Sequence, residues 1–140
     1  MRGGHAMEAD LGDPTGATAL GLCLYDVSAS SQPLITRKVL PGGTCGTKPC
    51  WKAVPGGYRY RNKVGSGDGV TDVKLRVSAA GEIALLIKGK GASLDVPSLD
   101  FLPPVRLQLL ASDSGGVTCW ESTFAHAIKS EPTLFKANGS

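Results

Sequence analysis

No apolar run in the chain approaches the ~18 residues needed to span a bilayer, so a transmembrane helix is excluded. There are only two histidines, His5 and His126, and no Gly-x-Ser-x-Gly stretch, so a serine triad has no setting. The two-residue cysteine spacing of redox dithiols is missing, and so is the ligand spacing of an EF-hand. No window sustains a period of 3.6, so almost no helix is expected. Residues 1–13 include Glu8, Asp10 and Asp13 and lack the apolar segment of a signal peptide. If the natural protein is secreted, its signal has been removed. A net charge of +3 is too small to point to nucleic acid. No fixed-period repeat is visible.

What the chain does have is a strand rhythm. Its 140 residues fit one domain with its own core, and 41% of them are hydrophobic. Nineteen glycines and nine prolines fall mainly between short apolar runs. Leu20 to Val27 is apolar on both faces, which suits a central strand. Strands also follow at Leu34–Val39 and Tyr58–Arg61, with a short segment at Trp51–Val54. Val73, Leu75 and Val77 alternate with Lys74, Arg76 and Ser78, and Ala79-Ala80-Gly81 turns them back into Ile83, Leu85 and Ile87. This is the clearest hairpin. Gly89-Lys90-Gly91 reads as a bend or bulge, and Leu94–Val96 as a short strand. Pro97–Pro104 links to a second hairpin, Val105–Leu109 with Val117–Phe124, and Leu134–Lys136 reads as an edge strand. The fold expected is all-β: a single two-layer antiparallel sandwich, immunoglobulin-, fibronectin- or jelly-roll-like, spanning residues 16–137. Residues 1–15 read as a vector-derived scar or flexible arm, and 138–140 as a tail.

The four cysteines are Cys23, Cys45, Cys50 and Cys119. An even count in a turn-rich chain points to an oxidising compartment. Gly46 and Pro49 fit a loop closed by Cys45–Cys50, which leaves Cys23–Cys119 to tie the first strand to one of the last. Structural zinc wants two closely spaced cysteine pairs, and only one is present.

The run Gly42 to Ala53 reads Gly-Gly-Thr-Cys-Gly-Thr-Lys-Pro-Cys-Trp-Lys-Ala. With Leu22–Asp26, Asp68-Gly69, Lys88-Gly-Lys-Gly91 and Cys119-Trp-Glu121, it resembles a module that recurs in secreted bacterial proteins and has no assigned function. The resemblance covers most of residues 20–137. It implies an extracellular unit, often part of a longer chain, and carries no catalytic residues.

A copper brace would need His5 as an amino terminus. Asp68 and Asp72 are weak calcium candidates, since calcium takes six to eight oxygens. Asp26, Asp95, Asp100 and Glu121 are scattered acids from which a glycosidase pair could be drawn. No cofactor is expected.

The charge pattern is the strongest functional signal. No acid lies between Asp26 and Asp68, while Arg37, Lys38, Lys48, Lys52, Arg59, Arg61 and Lys63 do. Trp51, Tyr58 and Tyr60 are interleaved with them. The expected ligand-binding set is Lys48, Trp51, Lys52, Tyr58, Arg59, Tyr60, Arg61 and Lys63, with aromatic rings to stack on sugars beside cations. The plain alternative is that the tyrosines face a core and the arginines face water. Lys74, Arg76, Lys88 and Lys90 could likewise only guard sheet edges. The function expected is a non-catalytic extracellular module for an anionic polysaccharide or cell-surface polymer. The alternatives are a secreted hydrolase using scattered acids or His126, and a self-associating subunit whose amino-terminal arm joins a neighbour's sheet.

Overall fold

The structure is a computed structural model; it describes residues 6–26, 32–64, 68–89, 104–124, 130–131 and 134–138. Among the described residues twelve strands form and no α-helix is present. They are β1 (Ala19–Tyr25), β2 (Ile35–Val39), β3 (Thr44–Cys45), β4 (Lys48–Pro49), β5 (Trp51–Val54) and β6 (Gly57–Arg61). Then come β7 (Val70–Val77), β8 (Ile83–Gly89), β9 (Val105–Asp113), β10 (Gly116–Phe124), β11 (Ser130–Glu131) and β12 (Leu134–Asn138). A four-stranded sheet runs β10-β9-β1-β2 and a six-stranded sheet runs β11-β12-β8-β7-β6-β5. A small β3-β4 pair stands apart, and every pairing is antiparallel.

Alternation along each strand builds the core. Leu20, Leu22 and Leu24 of β1 are buried, as are Val105, Leu107, Leu109 and Ala111 of β9 and Trp120 of β10. The six-stranded sheet contributes Trp51, Tyr60, Val73, Leu75, Ile83, Leu85 and Ile87 to the same hydrophobic cluster. Both expected hairpins form, with Val77 opposite Ile83 and Asp113 opposite Gly116. The expected irregularity sits at the end of that first hairpin, though on the other arm: the register shifts between Val70 and Asp72, opposite Gly89 and Lys88. β12 is not an edge strand, because β11 pairs on its far side. Lys90, Gly91, the Leu94–Val96 strand and the linker through 103 lie outside the described residues.

Residues 6–18 are packed rather than a free arm. Leu11, in a 3₁₀ turn at Glu8–Leu11, is fully buried, and Ala6 and Thr18 are buried as well. The Ala6 N–H donates to the Gly81 carbonyl at 3.1 Å, and the Tyr58 hydroxyl donates to the Gly12 carbonyl at 3.0 Å.

One disulfide is present, Cys45–Cys50, with a Cα separation of 4.9 Å. It closes the β3-β4 hairpin, whose turn has Gly46 at φ +72°. The loop is short, so its chain-entropy contribution is only about 2 kcal/mol. The expected Cys23–Cys119 bridge is absent, and both thiols are free. The reason is topological. β9 lies between β1 and β10, and Cys23 aligns with Gln108 while Cys119 aligns with Leu110, so the two cysteines are more than two strand spacings, about 10 Å, apart. A disulfide needs Cα atoms within about 7 Å.

Gly57 marks the tightest backbone approach. It follows a turn with Pro55 and Gly56, the latter at φ +79°, which is type II chemistry. A Cβ on Gly57 would stand 1.9 Å from the Leu75 carbonyl oxygen on β7. Gly57→Ala is therefore expected to lower stability by roughly 3 kcal/mol, the upper range for overpacking, read as a shifted denaturant midpoint. Thiol labelling of the unreduced protein in denaturant, followed by peptide mass mapping, should modify Cys23 and Cys119 and spare Cys45 and Cys50. Labelling of none of the four would restore the second bridge.

Candidate functional site

The residues of the acid-free stretch separate by face. β5 and β6 pair with Trp51 opposite Tyr60, Lys52 opposite Arg59 and Ala53 opposite Tyr58. Because successive side chains point to opposite faces, the rings go one way and the cations the other. Trp51 is 3% exposed and Tyr60 5%. Their ring centroids are 5.1 Å apart at 54°, a tilted aromatic pair. The Trp51 indole N–H donates to the Leu40 carbonyl at 2.9 Å, and Asn62 Nδ2 donates to the Tyr60 hydroxyl at 3.2 Å. Tyr58 is half-buried against the same core. These three rings belong to the interior, and the expectation that they stack on a ligand is corrected.

The cations share the outer face of the six-stranded sheet. Register places Lys52, Arg59 and Lys74 in one row across β5, β6 and β7. The next row holds Arg61, Asp72 and Lys88 across β6, β7 and β8, with Lys136 of β12 in register opposite Lys88. Arg76 stands opposite Gly57 at the other side of the first row. Lys52, Arg61, Lys74, Arg76 and Lys88 are exposed, and Arg59 is half-buried between its two neighbours. Asp72 is the single acid within these rows, and it reaches Arg61 at 3.8 Å. Strands lie about 4.8 Å apart and alternate residues about 7 Å apart along a strand, so neighbouring charges fall within a Debye length at physiological salt. Their fields add. The Arg59 Nε is buried and meets no hydrogen-bond acceptor of the chain.

The remaining expected residues lie elsewhere. Lys48 is exposed on the small β3-β4 pair, and Lys63 is exposed beyond the end of β6. Arg37 and Lys38 belong to β2 of the other sheet. Asp68 does not join Asp72 as a calcium pair. It sits at φ +53° and accepts the Lys38 backbone N–H at 3.0 Å, so it serves a turn. No three His, Cys, Asp or Glu gather as a metal set among the described residues. Asp26 is buried, whereas His5, Asp95, Asp100 and His126 lie outside the described residues. Sequence reasoning undervalued Lys74, Arg76 and Lys88 as edge guards. β7 and β8 are interior strands, so that explanation does not apply to them. The alternation in β7 already showed that its cations share a face, but not that β6 would lie beside it in this register.

The outer face of the four-stranded sheet is composed differently. Tyr25 donates to Gln108 Oε1 at 3.1 Å, and Gln108 Nε2 donates to Glu121 Oε2 at 2.8 Å. Arg106 lies 3.7 Å from Glu121 and stacks over the Tyr25 ring at 4.5 Å. Lys38 of β2, opposite Gly21, is a further exposed cation on this face.

Tyr58 carries the clearest titration signal near the packed amino-terminal segment. Burial, then the charges of Asp13 and Glu8, raise its phenol above the ordinary tyrosine value. A raised acid is protonated more readily in the fold than in the unfolded chain. Its contribution is complete below a pH of about 10 and is lost as pH climbs through the raised value. Wild-type stability should therefore fall above pH ~10 more steeply than that of Tyr58→Phe, as measured by urea midpoints across that range. Parallel curves would show that Tyr58 titrates normally.

A scan against protein-family models, a search of curated proteins and a search of solved structures each return no match.

Proposed function

We propose that this chain is a non-catalytic extracellular module that holds an anionic polysaccharide or cell-surface polymer on the outer face of its six-stranded sheet. In this reading the two sheets pack as one two-layer sandwich, with the shared hydrophobic cluster between them. The observation that carries it is the row Lys52–Arg59–Lys74 on adjacent strands. Like charges directly opposed on a sheet are destabilising, by up to about 1 kcal/mol per pair. Two such pairs run side by side here, and the Arg59 Nε between them has no acceptor within the chain. An anionic group lying across the row neutralises the repulsion through the exposed Lys52 and Lys74.

The chemistry favours a flexible polyanion over a small ligand. The face is an open sheet surface rather than a cleft. With Trp51 and Tyr60 buried, recognition is ionic and has no stacking platform, which also disfavours single-stranded nucleic acid. The Cys45–Cys50 bridge supports an oxidising compartment.

Binding is read as retention on an immobilised uronic-acid or sulfated polysaccharide, with neutral dextran as control, across a salt gradient. Retention should appear at low salt and fall steeply with salt. Replacing Arg59 and Lys74 together with Ala should weaken binding by about tenfold or more, while Lys48→Ala and Lys63→Ala leave it nearly unchanged. Equal losses for both sets, or no retention of the wild type at low salt, would overturn the assignment. Tighter retention on a nucleic-acid column would replace the polysaccharide with another polymer.

A further inference from the structure

Among the described residues the two main sheets have four edges, and three of them carry devices that discourage pairing with another chain. β2 is five residues long and carries Arg37 and Lys38. β5 is four residues long, carries Lys52 and lies between Pro49 and Pro55. β11 is two residues long. Short strands, lysine and proline are the usual guards of a sheet edge. The fourth edge, β10, has none of them. It runs nine residues from Gly116 to Phe124, about 30 Å, without Lys, Arg or Pro. Its single charge, Glu121, is drawn back toward β9 by Gln108 and Arg106. Val117 is 64% exposed, and Thr118, Cys119 and Glu121 are exposed beside it.

We propose that β10 is a self-association edge, and that its occupant is β10 of a second copy, paired antiparallel about a two-fold axis through Trp120. The strand is self-complementary in this register. All nine residues pair, with Cys119 opposite Glu121, Thr118 opposite Ser122 and Val117 opposite Thr123 of the second copy. No two like charges meet. A centre at Glu121 sets carboxylate against carboxylate, and a centre at Cys119 shortens the ladder to seven pairs. The resulting isologous interface joins two four-stranded sheets into one of eight strands. Paired residues share a face, so both copies present their outer sheet surfaces on the same side. This inference is independent of the polyanion reading, because no polymer is needed for it.

The test uses the whole chain in a Cys23→Ser background, which prevents chance oxidation between unlike thiols. Sedimentation velocity from micromolar to millimolar protein should show a monomer passing to a dimer of twice the 14.4 kDa chain mass. Cys119→Glu places a new carboxylate opposite Glu121 of the second copy at both symmetry-related pairs. It should weaken the dimer about tenfold, whereas Cys119→Lys should keep or tighten it. Position 119 is exposed, so neither substitution threatens the core. A bis-maleimide spanning about 8 Å should join the two Cys119 thiols, which are diagonal neighbours in this register. Because burial and the Glu121 charge raise this thiol's pKa, the coupling is run at mildly alkaline pH. A monomer at every concentration overturns the proposal. So does a dimer that both substitutions weaken equally, or one in which Cys119 does not cross-link.

Discussion

A pleated strand cannot turn one residue and its neighbour to the same side, and that constraint organises this protein. In the segment Trp51–Arg61 it sorts an apparently mixed stretch of rings and cations into two surfaces. Trp51, Tyr58 and Tyr60 build the core, and Lys52, Arg59 and Arg61 build a charged exterior. The sorting extends through β7 and β8 because pairing is antiparallel and in register, so Lys74 aligns with Arg59 and Lys88 with Asp72. The interior and the proposed binding face are two sides of one backbone arrangement. A one-residue slip of β6 against its neighbours would expose the rings and bury the arginines together.

The buried side of that arrangement also holds the disulfide hairpin in place. Trp51 follows Cys50 directly, and its indole N–H is bound to the Leu40 carbonyl on the approach to the hairpin. The Cys50 N–H donates to the Gly43 carbonyl, and the Arg61 N–H donates to the Cys50 carbonyl. The small loop is therefore tied to the core by its tryptophan and its backbone more than by its short covalent ring. At the other end of the chain, Leu11 and the Tyr58–Gly12 hydrogen bond seat the amino-terminal turn against the same sheet. Tyr58 thereby links the segment before β1 to the strand that bears Arg59.

The all-β class, the two hairpins and the Cys45–Cys50 loop were legible in the sequence, because each rests on local information. Period-two alternation marks Val73–Val77, and Gly46 with Pro49 marks the loop. The strand order was not legible. Cys23 and Cys119 looked like partners because both lie on strands far apart in sequence. Nothing local indicates that β9 is inserted between β1 and β10. The same gap hid the basic rows, since charges on β5, β6 and β7 become neighbours only once the sheet order is known. Residues 6–15 show no strand alternation, and their anchoring comes from buried Ala6 and Leu11 and from hydrogen bonds to Gly81 and Tyr58 that lie far away in sequence.

The chain supplies its own comparison for judging the basic face. On the outer surface of the four-stranded sheet Arg106 sits beside Glu121, and Tyr25, Gln108 and Glu121 form a hydrogen-bonded chain. Solubility alone needs no more than that. The six-stranded sheet instead sets cation against cation, with Arg59 and Lys74 on interior strands and Lys52 on the edge strand β5. The two opposed pairs cost at most about 2 kcal/mol together. Burial of a single aliphatic side chain, such as Leu75 beneath them, is worth about 1.5–3 kcal/mol. The core can therefore carry the repulsion without losing the fold. In the proposed reading, this small and tolerable repulsion is what an anion from outside the chain would relieve.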